Sequence, residues 1–190
     1  MITISPGHFH IGSGTQDIIN EVVEARRVVN RVVEILKANS VPTIKVEDNV
    51  SKSQAENLQY LVTKHNATSR KVDVSVHFNS SGGRVQKGLG TEVLYFDAAA
   101  LATEMSKQIS AASGLKNRGA KKRAELAFLN GTYMPAILIE VCFVNSVEDV
   151  KLYKEHFEQI CVAIAQVLAK YVGKPFQEKP VADTPRVFST

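Results

Sequence analysis

The sequence has no tryptophan and only two cysteines among 190 residues. Two thiols cannot make the disulfide framework that small secreted domains use as a brace. Cys142 (in ILIEVCFV) and Cys161 (in EQICVAIA) lie in apolar runs, where a thiol reads as a small core residue. No apolar run approaches the roughly 20 residues that a membrane-spanning helix needs, so no transmembrane segment is expected. No basic stretch followed by an apolar one opens the chain. Met1 leads straight into strand-like ITIS, so the protein is expected to be made in the cytoplasm without a signal peptide. Neither sign of charge dominates: 23 Lys and Arg against 19 Asp and Glu leave +4. That bias is too small for a nucleic-acid footprint. One cluster, Lys121, Lys122 and Arg123, reads as a solvated basic turn. A chain of this length buries a core without staples.

What is present alternates between two periods. Ile2 to Ser5 reads as a strand ended by Pro6-Gly7. From about Asp17 to Asn39, Ile18, Val22, Ala25, Val29, Val32 and Leu36 recur at helical spacing. Thr43 to Val46 reads as a strand. A helix is expected from Ser51, which stands three residues before Gln54 as in a capping box. Val72 to Phe78 alternates as a strand, and Thr91 to Phe96 follows a glycine-rich loop. Ala98 to Ser113 reads as a helix stopped by Gly114. Pro135 to Val144 is nearly all apolar, as in a strand buried on both faces. Val147 to Tyr171 reads as one long final helix.

These elements predict a single α/β domain over residues 1–172. Its core would be a twisted, mostly parallel sheet of about six strands flanked by helices on both faces. Residues 173–190 hold three of the six prolines and no helical period, which suits a linker or tail toward a cell-wall-binding domain.

Open α/β sheets collect their sites at the carboxyl ends of strands. His8 follows the first strand, His77 lies near the end of the third, and Glu140 interrupts the most apolar one. A carboxylate there is expensive to bury unpaired, so Glu140 is a structural partner or a functional group. Either histidine alone is more often an ordinary polar residue than a ligand. With a third ligand they make a zinc site, since catalytic zinc commonly takes two His and one Glu. Glu21 and Glu24, near the start of the first helix, are the candidates.

Six segments carry a family resemblance: SPGH (Ser5 to His8), Glu21 at the opening of the first long helix, SVHFNSS (Ser75 to Ser81), GLGTEVLYF (Gly88 to Phe96), NRGAK (Asn117 to Lys121) and PAILIEVCFVNS (Pro135 to Ser146). In these and their order the chain resembles the zinc-dependent N-acetylmuramoyl-L-alanine amidases of the Amidase_3 type, found in autolysins and phage endolysins. The resemblance implies that His8, Glu21 and His77 bind one Zn2+ and that Glu140 is the catalytic glutamate. The substrate would be peptidoglycan, cut between N-acetylmuramic acid and L-alanine by activated water. Two points depart from the family pattern or leave a choice. Phe9-His10 stands where the family has glycines, which makes His10 a rival ligand, and Glu24 rivals Glu21.

Asn79 is either a turn residue or a substrate contact. Arg118 is either a surface residue or suited to gripping a stem-peptide carboxylate. His65, among apolar neighbours, reads as structural, and His156 as a surface residue of the last helix. A monomer is expected, with no nucleic-acid or membrane partner. Without a signal, release by a holin as a phage or prophage endolysin is expected, with a sporulation or mother-cell lysis enzyme as runner-up. The rival classes are a thiol hydrolase using Cys142, a non-catalytic cell-wall-binding module, and a zinc carboxypeptidase.

Overall fold

A computed structural model describes residues 1–177. Twelve elements follow in order: β1 (Ile2–Pro6), α1 (Glu21–Ala38), β2 (Thr43–Lys45), α2 (Gln54–Asn66), β3 (Val72–Asn79), β4 (Thr91–Tyr95), α3 (Ala99–Ser113), β5 (Asn117–Lys122), α4 (Ala127–Gly131), β6 (Ala136–Phe143), α5 (Val147–Glu155) and α6 (Phe157–Tyr171). The strands form one sheet in the order β2-β1-β3-β6-β4-β5. Every neighbouring pair is parallel except β4 with β6. The expected mostly parallel α/β architecture is therefore the one found.

Alternation along the strands decides what each face meets. Ile2, Ile4, Val72, Val74, Val76, Phe78, Ile137 and Ile139 join the main core with α1, α3 and α6. Each such aliphatic side chain contributes roughly 1.5–3 kcal/mol on burial. The opposite face carries a smaller cluster of Leu61, Leu94, Phe128, Leu129 and Leu138 under α2 and α4. It also carries Thr3, Ser5, Asp73 and Ser75, all buried. Further along this same face lie His77, Glu140 and Glu92.

Several boundaries differ from the sequence-based expectation. α1 begins at Glu21, not Asp17, because Asn20 caps it, its side chain accepting from the Val23 N–H at 3.1 Å. The residues before it are held elsewhere, Ile18 N–H bonding to the Val144 carbonyl. α2 is capped by Ser53 rather than Ser51. Ser53 Oγ accepts from Glu56 N–H at 3.3 Å, and Glu56 Oε2 reaches back past the cap to accept from Lys52 N–H at 2.7 Å. The expected final helix is two, because His156 leaves helical geometry at φ −117, ψ 25. The apolar period runs through that break, which hides it from the sequence. His156 thus sits at a helix junction. Lys121 and Lys122 belong to edge strand β5, not to a turn.

At the end of α6, Gly173 takes a left-handed φ of +72. Lys174 N–H bonds back to the Ala169 carbonyl and Gln177 N–H to Asn39 Oδ1. Phe176 packs on the core. The rest of the segment read as a linker, residues 178–190, lies outside the described residues.

Candidate metal centre

Three side chains from three elements meet at the carboxyl end of β1 and β3. His8 leaves β1 with a left-handed φ of 66, and its ring stands edge-on to that of His77 with centroids 5.1 Å apart. Glu21 is the first residue of α1, and His77 lies near the end of β3. Each offers one ligand atom, and the three atoms lie within 4.8 Å of one another. Glu21 Oε2 is 3.0 Å from His8 Nε2, and Oε1 is 3.1 Å from His77 Nδ1. Two backbone N–H groups also donate to this carboxylate, Thr15 at 2.8 Å and Phe78 at 3.1 Å.

Glycine makes the room. A Cβ on Gly7 would lie 2.1 Å from His77 Cε1, and one on Gly14 would lie 2.9 Å from Glu21 Oε2. Burial pushes the Glu21 carboxyl up, but hydrogen bonds from His77 and His8 outweigh it and hold it far below the usual carboxylate range. His8 Nδ1 is buried and makes no hydrogen bond among the described residues. An ionised carboxylate, two imidazoles and a spare ring nitrogen are a donor set that fits a divalent ion of the zinc type. The backbone bonds to Glu21 fix its orientation, as outer partners of a metal ligand do.

The rival residues stay outside. His10 is exposed, and its Nδ1 lies 2.8 Å from the Ile11 carbonyl. Glu24 faces α5, accepting from the Tyr153 hydroxyl at 2.6 Å.

Next to the cluster runs a row set by strand register. His77 on β3 pairs with Glu140 on β6, and Glu140 pairs with Glu92 on β4. Burial raises the Glu140 carboxyl, the charges of Glu21 and Glu92 raise it further, and its pKa is pushed up to about 8. Its Oε2 is buried with no hydrogen-bond partner among the described residues.

Glu92 was not singled out from the sequence, although the same signal applied: a carboxylate inside an apolar strand. Asn79 Nδ2 donates to its Oε1 at 3.0 Å. Arg118 Nε and Lys121 Nζ donate to its Oε2 at 2.5 and 2.6 Å. Asn79 and Arg118 thus meet on one carboxylate beside Glu140. Cys142 is fully buried and its thiol is pushed well above its ordinary value by burial. Such a thiol is inert, which removes the support for a thiol hydrolase.

Residues 2–170 match the family described as N-acetylmuramoyl-L-alanine amidase. A curated relative, an uncharacterised 38.4 kDa protein of Clostridium perfringens, is 30% identical over 98% of this chain and 54% of its own length. The chain therefore spans about half the length of the curated relatives it matches. Among solved structures, the amidase AmiC2 of Nostoc punctiforme is 28% identical, with a TM-score of 0.77 over 91% of this chain and 97% of that one. The catalytic domain of the amidase CwlV from Bacillus (Paenibacillus) polymyxa var. colistinus is 26% identical, with a TM-score of 0.78 over 92% and 99%. The catalytic domain of an endolysin targeting Clostridia difficile shares the fold at 24% identity, with a TM-score of 0.77 over 93% and 98%.

Proposed function

This chain belongs to the N-acetylmuramoyl-L-alanine amidase family, and on that premise we propose that it hydrolyses the amide joining N-acetylmuramic acid to L-alanine in peptidoglycan, with His8, Glu21 and His77 holding one zinc ion. The observation that carries this reading is the convergence of those three ligand atoms within 4.8 Å, with Glu140 in register beside His77. A zinc ion there supplies a Lewis acid that makes water nucleophilic near pH 7 and polarises a carbonyl.

The chain's own residues do the rest. Glu140 Oε2, without a hydrogen-bond partner among the described residues, accepts the proton of the attacking water and returns it to the leaving alanine nitrogen. Burial and the neighbouring carboxylates raise this carboxyl above its ordinary value in the metal-free protein, and a bound cation beside it would draw it back down, toward the range in which it can both take and give a proton. The Thr15 and Phe78 N–H groups keep Glu21 aimed at both imidazoles. Gly7 and Gly14 leave the rings their space. Asn79 and Arg118 are the substrate contacts.

We read residues 1–172 as the catalytic unit and 173–190 as a tail leading toward a wall-binding domain. The greater length of the relatives supports that division. The setting is that of a phage or prophage endolysin. Expression inside cells with and without a holin tests the setting, because lysis independent of the holin would contradict it.

The chemistry is tested by digesting purified cell walls. Wild type should release new alanine amino termini, and Glu140→Ala should be folded but slower by about a thousandfold. Release of C-terminal residues alone would favour a carboxypeptidase. Binding without cleavage would favour a wall-binding module.

A further inference from the structure

Two cations share one carboxylate at the edge of the proposed site. Glu92 is buried, with a side chain 7% exposed, while Arg118 and Lys121 above it are 29% and 40% exposed. The three together carry one net positive charge. Glu92 cannot turn away to meet a ligand, because Asn79 holds its other oxygen at 3.0 Å. The cations are anchored but not exhausted. Arg118 uses Nε on Glu92, and its Nη1 makes only a 3.4 Å bond to the Leu89 carbonyl. Its guanidinium lies 5.0 Å from the centre of the Phe143 ring, which limits its swing. Lys121 donates one of its three ammonium protons to Glu92. The remaining donors are available on the solvent side.

Glu92 is the register partner of Glu140, so this cationic pair adjoins the reacting carboxyl. Neighbouring strands lie about 4.8 Å apart. An extended peptide advances about 3.5 Å per residue. With the scissile amide facing Glu140 and the stem peptide running from β6 toward β5, the residue that follows L-alanine falls within reach of Arg118 and Lys121. The muramic acid side offers no carboxylate there, since its lactyl carboxyl is the amide being cut.

We propose that Arg118 and Lys121, held together on Glu92, form a subsite for a free carboxylate on the residue after L-alanine and select it against the carboxamide. This rests on the amidase reading above and adds to it a choice of peptide chemistry. A carboxylate adds a second charge to each bond and offers two acceptor oxygens to a guanidinium fork and an ammonium, where a carboxamide offers one neutral oxygen. A carboxamide would also turn an N–H face toward two cations.

The test uses two soluble muramyl peptides that differ only in whether the α-carboxyl of that residue is free or amidated. The wild-type protein, loaded with zinc, should cleave the free acid with a kcat/KM at least about tenfold higher, equivalent to 1.4 kcal/mol. In Arg118→Gln and Lys121→Gln the ratio should collapse toward one, with thermal unfolding confirming that each variant is folded. Equal cleavage of both peptides by wild type would overturn the proposal, and this comparison needs no variant. So would an unchanged preference in both folded variants. Cleavage of neither peptide would overturn the amidase reading itself, and the subsite with it.

Discussion

Strand β3 carries a carboxylate–imidazole cluster at each end of one face, and the two behave differently. At its start, Asp73 lies 2.8 Å from His65 Nδ1 and is gripped by Arg70 at 2.7 Å, with His65 and Asp73 both fully buried. At its far end, Glu21 meets His8 and His77, whose side chains are 14% and 19% exposed. The first cluster has a guanidinium to balance its carboxylate, and it is closed to solvent. The second has only titratable imidazoles, opens outward, and sits where parallel strands deliver their C-terminal ends. An imidazole beside a carboxylate is thus a brace in one place and, in the function proposed, a ligand set in the other. Counter-charge and access decide between them.

The largest expected effect lies at the open end. Glu140→Ala should lower kcat by about 10²–10⁴ with the fold intact, read by wall digestion and circular dichroism. Chelation of the metal should abolish activity reversibly, and added zinc should restore it. The closed end should respond in stability instead. Asp73→Ala leaves Arg70 buried without its partner and should cost about 3–5 kcal/mol in denaturant unfolding. Zinc content per folded chain should be unchanged in that variant. Gly7→Ala connects the ends of the argument. Its Cβ would collide with the His77 ring, so zinc content should fall while the melting temperature changes little.

The smallest effect concerns pH. In the metal-free protein the Glu140 carboxyl titrates near 8, above its ordinary 4.5. Between those values the unfolded chain ionises while the folded one keeps its proton, so this group lowers stability as pH rises across the window. Glu140→Gln removes that loss. The metal-free variant should therefore gain on wild type progressively as pH rises from about 5 to 8, and by almost nothing at pH 4. Glu21 has the opposite sign: its contribution is present above the ordinary carboxylate range and is lost in acid.

The sequence made much of this arrangement legible. Alternation in Val72 to Phe78 separated the two faces of β3, and the apolar run around Glu140 placed β6 at the centre of the sheet. The resemblance favours Glu21 over Glu24 and His8 over His10, and the structure gathers the favoured pair with His77 while the rivals point elsewhere. That gathering turns on where Asn20 starts α1 and on the left-handed turn at His8. β5 escaped notice because NRGAKK has neither alternation nor β-branched residues, as suits a charged edge strand. Glu92 escaped because its partners, Asn79, Arg118 and Lys121, come from β3 and β5, and no sequence spacing connects them.

The proposed metal site is tested most directly by stoichiometry across the two clusters. Zinc titration by calorimetry of the metal-free protein should give one site in wild type and in His65→Ala, and none in His77→Ala. No zinc site in wild type, or an undiminished one in His77→Ala, would contradict it.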